Sequence, residues 1–239
     1  MHAVEDRMWW YRGLRTLTAV LLGRALSSPS APAAPVLDAG CGTGGMLARL
    51  AATPSGSRAI GLEFDAIAAG LAARKSGRPV VRGSANELPI GDGVLGGYVS
   101  LDVLCHDGVD PGRALAEACR CLAPGGVVLL NLPAYGWMLS AHDRRVHNVR
   151  RFTRGQVLAL LAGRGFKILK ASYWNTLLFP LMLRHRVTER DDAESDVRDF
   201  PRWLDALFSA ALALERTVIG WGLSLPFGGS LLIVARRDD

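Results

Sequence analysis

At 239 residues, 49% hydrophobic and 21% charged, the chain describes a soluble globular protein on the oily side, long enough for one sizeable domain with an added piece. Only Lys75, Lys167 and Lys170 among its 28 basic residues are lysines, so the net charge of +6 reads as genome composition as readily as an acidic partner. Cys41, Cys105, Cys119 and Cys121 form no C-x-x-C pair and no zinc spacing, which fits a reduced cytoplasmic setting, and Glu5, Asp6 and Arg7 argue against a signal peptide.

In chain order, residues 4–26 predict a helix with Trp9, Trp10, Leu14, Leu17, Val20 and Leu21 on one stripe, and residues 27–35 a Pro/Ala/Ser linker. Strands and helices then alternate. Strands are expected from Val36 and over 59–64, 79–82, 98–104, 127–132 and 166–174; helices over 46–52, 67–74, from Asp110-Pro111, and from Thr153 to near Gly163. Asp110 caps with Pro at the first helical position, Thr153-Arg-Gly-Gln156 is a capping box, and Pro124-Gly125-Gly126 turns into the fifth strand. Such alternation predicts a parallel sheet covered on both faces, an α/β doubly wound, Rossmann-like fold.

The end of the chain breaks this pattern. Residues 189–199 are dense in charge and predict an exposed loop, 201–221 carry an apolar helical face, and 230–237 form a last strand. Residues 217–235 lack charge over nearly a membrane span, but Pro226-Phe227-Gly228-Gly229 interrupts them, so no integral span is expected. The organisation is therefore 1–35 helix and linker, 36–174 cofactor core, 175–229 helical insertion (substrate cap or dimer surface), and 230–239 final core strand.

Gly40, Gly42 and Gly44 follow an apolar strand ending in Asp38, on alternate positions before a helix. Such spacing lets the backbone turn tightly against a ligand, with free N–H groups of the next helix at the same spot. Gly40-Cys-Gly42-Thr-Gly44-Gly45 also satisfies the dinucleotide fingerprint, a weak match that keeps an NAD(P)-dependent oxidoreductase as a rival. Asp38 suits a ligand bearing an amino group better than a pyrophosphate. Glu63, ending the second strand, can accept both hydroxyls of a ribose in either reading.

Five motifs in order resemble the class I S-adenosylmethionine-dependent methyltransferases: Val36-Leu-Asp-Ala-Gly-Cys-Gly-Thr-Gly44, Gly61-Leu-Glu-Phe64, Gly83-Ser-Ala-Asn-Glu-Leu-Pro89, Leu101-Asp-Val-Leu-Cys-His106 and Leu122-Ala-Pro-Gly-Gly126. The likeness implies an αβα sandwich around a seven-stranded sheet whose last strand runs antiparallel beside the sixth. It implies S-adenosylmethionine as cofactor, contacted by Asp38, Ala39, Gly40, Cys41, Gly42, Gly44, Glu63, Phe64, Ser84, Ala85 and Leu101, with Tyr11 folding over from the N-terminal helix. Ser84 stands where the family usually has Asp, and Leu95-Gly96 where it usually has Phe-Asp. Neither departure touches the methionine or ribose contacts.

A sulfonium methyl needs an in-line nucleophile and, for a phenol, alcohol or acid, a base. His106, Tyr135, His142, Asp143 and His147 follow the fourth and fifth strands, where ligands bind in open α/β sheets, and are the candidate catalytic residues. The His142, Asp143 and His147 spacing lacks a fourth metal ligand, so no metal is assigned. Arg144, Arg145, Arg150, Arg151 and Arg154 read as a solvated helix face or as a clamp for an anionic substrate group. Arg151 and Trp137 are the substrate-binding candidates.

The oily helix over 201–221 fits a hydrophobic small molecule, such as one of secondary metabolism, or a homodimer. Peripheral membrane contact is the minority reading, and nucleic acid has no module here. The function expected is methylation of a small hydrophobic molecule, O-methylation favoured. The rivals are a non-methylating cyclase or scaffold on the same fold, and the oxidoreductase.

Overall fold

Successive residues of a strand face opposite sides of its sheet, so a central strand with no polar face needs cover on both. In a computed structural model, which describes residue 6 and residues 8–188 and 201–238, that is how the core divides. Seven strands, β1 (Val36–Ala39), β2 (Ile60–Glu63), β3 (Val80–Arg82), β4 (Leu95–Leu101), β5 (Leu122–Pro133), β6 (Phe166–Trp174) and β7 (Ser230–Arg237), form one sheet in the order β3-β2-β1-β4-β5-β7-β6. The first five are parallel and β7 is antiparallel to both β5 and β6, as the family likeness implied.

Leu37, Tyr98, Val128, Leu130, Leu231 and Ile233 pack on one face, under α4 (Pro111–Cys121) and α6 (Arg154–Ala162). Val36, Val99, Val127, Leu129, Leu232 and Val234 pack on the other, under α1 (Trp9–Leu26), α2 (Gly45–Ala51) and α8 (Arg202–Gly220). The remaining helices are α3 (Ala66–Ser76), α5 (Ala141–Arg145) and α7 (Phe179–Thr188). Asp65 caps α3, Asp110 caps α4, and the box of Thr153 and Gln156 starts α6. A Cβ at Gly13 would lie 2.6 Å from Leu212 Cδ1, so α1 and α8 approach closely there, with Trp9 edge-on to Phe208 at 5.1 Å.

Three boundaries differ from the sequence reading. β4 spans 95–101 rather than 98–104, because the N–H groups of Gly96 and Gly97 both reach Pro35 O, and the strand ends where Asp102 turns to φ 56°. A Cβ at Gly96 would meet Pro32 O at 2.8 Å, so only glycine fits under the linker. β5 begins at Leu122 instead of 127; Pro124-Gly125-Gly126 is a bulge inside it, with Leu95 opposite Leu122 and Gly97 opposite Val127. The helix α7 lies within the stretch 175–229 read as a helical insertion, without having been singled out there. The charged stretch 189–199 lies outside the described residues.

Among the described residues no helix is long and apolar enough to cross a membrane, no group of His, Cys, Asp or Glu is placed to hold a metal, and the four cysteines are free thiols.

Candidate active site

The glycine loop leaves β1 with Gly40, Gly42 and Gly44 all at positive φ, 77°, 55° and 88°. Gly44 is pressed on α3, where a Cβ would lie 2.6 Å from Ala72 Cα, and one at Gly40 would lie 2.4 Å from Val103 Cγ2. At Gly42 a Cβ would meet nothing within 4 Å: the loop turns its bare backbone toward open space. Glu63 closes this side. Its carboxylate accepts from Gly42 N–H at 2.8 Å, Phe64 N–H at 2.9 Å and Asp65 N–H at 3.0 Å, which fixes it beside the loop.

Phe64 leaves 76% of its surface exposed, an apolar face with no protein partner at the end of β2. Ala39, Cys41 and Ala85 are buried behind the loop, and Leu101 packs into the core with part of its surface free. Burial pushes the Cys41 thiol well above its usual range, aided by the nearby Asp38 and Glu63, so it stays neutral. Ser84 Oγ accepts from Asn86 N–H at 3.2 Å, which spends part of its capacity on its own turn. Open space against Gly42, an anchored carboxylate and an exposed ring together fit a nucleoside with a charged amino-acid tail.

Residues forced to positive φ without being glycine cost about 1–3 kcal/mol each, and such strain gathers at functional sites. Among the described residues there are four: Asp102, Tyr135, His147 and Asn175. They follow β4, follow β5, interrupt the β5–β6 connection and follow β6, so all lie at the carboxyl edge of the parallel strands. The sequence signal that could have singled out Asp102 was its place in the motif after β4; its backbone conformation leaves no mark in the sequence.

Asp102 is the residue that sequence reasoning missed. Asn131 Nδ2 donates to both of its carboxylate oxygens at 3.0 Å, Asp102 N–H donates to Asn131 O at 2.9 Å, and Trp174 Nε1 donates to Asn131 Oδ1 at 2.7 Å. Protein surrounds the carboxylate, yet the residue as a whole keeps some accessible surface at the carboxyl end of β4. Burial pushes its pKa up to about 7, against the opposing Asn131 hydrogen bond and Arg151 charge. It also adjoins Val103, the side chain on which Gly40 rests. Trp10 stacks on Trp174 at 6.0 Å and meets Tyr11 edge-on at 5.0 Å, which brings the N-terminal helix over this network.

The expected acid–base and substrate residues separate into two groups. Asp143 and Arg151 form a buried ion pair, with Nε to Oδ2 at 3.0 Å and Nη2 to Oδ1 and Oδ2 at 2.9 and 2.8 Å; their side chains are 2% and 4% exposed. Ser140 and Asn148 also donate to Asp143, and Arg151 reaches Ala134 O at 3.2 Å. Asp143 therefore is not a free base, and Arg151 is not a clamp. Arg150 is likewise engaged, donating to the carbonyls of Leu104, His106 and Val109. Arg150 and Arg151 hold the β4 and β5 loops in place, whereas Arg144 and Arg145 on α5 and Arg154 at the start of α6 are exposed, in line with the solvated-face reading.

His106 stands half-buried in the loop after β4, paired through its backbone with Asn148. Burial, and then the charge of His147, lower its pKa, so the neutral ring is favoured at neutrality. His147 is exposed. His142 lies in α5, and its side chain is outside the described part of the structure. Tyr135 stacks on Tyr173 at 5.2 Å and Trp137 at 5.7 Å, with Phe179 and then Phe227 continuing the aromatic row. Burial first, then Tyr173, raises the Tyr135 pKa, so its phenol stays protonated.

Known proteins agree with this geometry. Residues 37–130 match the methyltransferase domain family. A protein of Mycolicibacterium smegmatis described as a probable S-adenosylmethionine-dependent methyltransferase is 30% identical over 139 residues, 56% of this chain and 52% of that one, so the chain spans about half the relative's length. Geranyl diphosphate C-methyltransferase of Streptomyces coelicolor, solved with S-adenosyl-L-homocysteine, shares the fold at a TM-score of 0.60 and 16% identity, over 93% of this chain and 76% of that one. The [4+2]-cyclase SpnF shares it at 0.62 and 22%, over 98% and 85%. The order β3-β2-β1-β4-β5-β7-β6 also departs from the 3-2-1-4-5-6 order of dinucleotide-binding sheets. Residues 37–130 are thus a stretch similar to methyltransferase domains, and the glycine loop with its anchored Glu63 fits S-adenosylmethionine as the cofactor.

Proposed function

We propose that the protein transfers a methyl group to oxygen on a small, hydrophobic acceptor, with Asp102 as the base that takes the acceptor's proton. The observation that carries this reading is Asp102 itself, a carboxyl group just past the end of β4 whose pKa burial pushes up to about 7, next to Val103, the residue packed on Gly40. S-adenosylmethionine, when bound, supplies an electrophilic methyl that needs no further activation. Gly40, Gly42 and Gly44 would approach the methionine part, Asp38 its amino end, Glu63 the ribose, and Ser84 and Ala85 the adenine edge. Asp102 would take the proton from the acceptor O–H, leaving an oxygen able to receive the methyl group that the bound cofactor would supply.

Asn131 and Trp174 fix the base, a support that general-base catalysis needs before its usual 10²–10⁴-fold contribution is realised. The row of Tyr135, Trp137, Tyr173 and Phe179 offers an apolar wall that suits a planar or greasy acceptor. His106 and His147 flank this mouth as secondary proton carriers.

Calorimetric titration with S-adenosylhomocysteine and with NAD tests the cofactor, and radiolabelled methyl donor with a panel of phenols and hydroxy acids tests the reaction. Asp102→Asn is expected to lower turnover at least about 100-fold with the homocysteine affinity unchanged. In the wild type the rate should climb below pH 7 and level off above it. An unchanged rate in Asp102→Asn removes the base; tight binding with no labelled product from any acceptor favours the scaffold or cyclase reading.

A further inference from the structure

The inner face of α8 is spent on the core: Phe208, Leu212, Glu215 and Ile219 are buried, and the Glu215 carboxylate accepts from Leu177 N–H at 2.7 Å. Among the described residues its outer face meets no partner. Trp203, Leu207, Leu214 and Trp221 are 69%, 57%, 59% and 77% exposed, and Ala210 and Thr217 between them are exposed too. These six stand at intervals of four, three, four, three and four residues, the heptad spacing of a coiled-coil seam, 3.5 rather than 3.6 residues per turn. Thr217 turns its hydroxyl back to Ala213 O at 2.9 Å, which frees its methyl for the seam.

The spacing of the seam, four-three-four-three-four, reads the same in both directions. Reversed about Leu212, it sets Trp203 opposite Trp221, Leu207 opposite Thr217 and Ala210 opposite Leu214, so the face complements itself under a two-fold axis, as an isologous interface requires. We propose that α8 pairs with α8 of a second copy of this chain as an antiparallel two-helix seam.

Two further observations favour a second copy over other occupants. The six seam residues expose on the order of 600 Å² per protomer, so a dimer buries more than the roughly 1,000 Å² that separates specific interfaces from weak contacts. The sequence immediately before α8 carries Glu189, Asp191, Asp192, Glu194, Asp196 and Asp199 against Arg190 and Arg198. That charge repels an anionic bilayer. The same stretch has too few apolar side chains to cover the seam itself.

Light scattering at about 50 µM should return twice the 25.6 kDa chain mass, and Leu207→Glu with Leu214→Glu should return the single mass with the circular dichroism unchanged. Register is read by cysteines. Ala210→Cys with Leu214→Cys should give a dithiothreitol-sensitive dimer under air oxidation, whereas Leu207→Cys with Leu214→Cys should not, because neither position faces a cysteine. A wild-type monomer, a dimer that survives the double glutamate variant, or cross-linking of the second cysteine pair alone overturns the proposal. So does flotation of a monomer with phosphatidylglycerol vesicles. None of these outcomes depends on whether the chain methylates.

Discussion

On the β1–β3 side of the carboxyl edge the proposed cofactor surface is made of backbone: three glycines at positive φ, one of them facing open space, and a carboxylate held by three N–H groups. On the β4–β6 side it is made of side chains, Asp102, Tyr135 and Trp174, each fixed by partners distant in sequence. The contrast separates two tasks. A backbone surface recognises one ligand by shape and tolerates change around it, whereas a side-chain surface can be altered to suit new acceptors but depends on a few buried contacts for its form.

The largest expected effect falls on the second side. Arg151→Met leaves the Asp143 carboxylate buried without its cation, which costs about 3–5 kcal/mol. Urea denaturation should show that loss, and Asp143→Leu together with Arg151→Met should recover most of it. A single-variant loss below about 1 kcal/mol would mean that the β5 loop is held by something other than this pair. On the first side the comparable change is smaller and acts on binding. Glu63→Gln keeps the shape but removes the charge that strengthens hydrogen bonds to hydroxyls, for roughly 1–2 kcal/mol, or about a 5- to 30-fold weaker titration with S-adenosylhomocysteine. If that variant unfolds more readily than it loses ligand, Glu63 serves the loop rather than the ribose.

The same contrast decides what could be read from the sequence. Glycine spacing, capping residues and the isolated final strand are local signals, and β7 falls at 230–237 where its apolar run lies, inserted between β5 and β6. The cofactor loop is equally local. Asp143 and Arg151 were legible only as polar residues near a site, because what joins them is a turn of the chain that brings positions eight apart to 2.8 Å. Asp102 was hidden for a different reason: its conformation is imposed by Asn131, 29 residues away on the neighbouring strand. The start of β4 was misplaced because Gly96 reads as a breaker until the linker is seen lying across it.

The last effect, of similar size, is the most discriminating, because it follows the ionisation of Asp102 without needing an acceptor. An unfolded aspartate titrates near 3.9, and the folded one is pushed up to about 7. Below about pH 4 both states hold the proton and the residue is neutral toward stability. Between about 4 and 7 the unfolded chain releases its proton while the folded chain keeps it, so wild-type stability falls as pH rises through that window and levels off above it. Asp102→Asn removes this slope. Denaturation at pH 4.5, 6 and 7.5 should therefore show the variant gaining on the wild type with rising pH, by on the order of 1–2 kcal/mol given that Asp102 keeps some accessible surface. A gap that stays constant across the three pH values would mean that Asp102 ionises like any exposed aspartate. The plateau expected in the methyl-transfer rate would then move to acid pH, and the acceptor side would lose its claim to a tuned base.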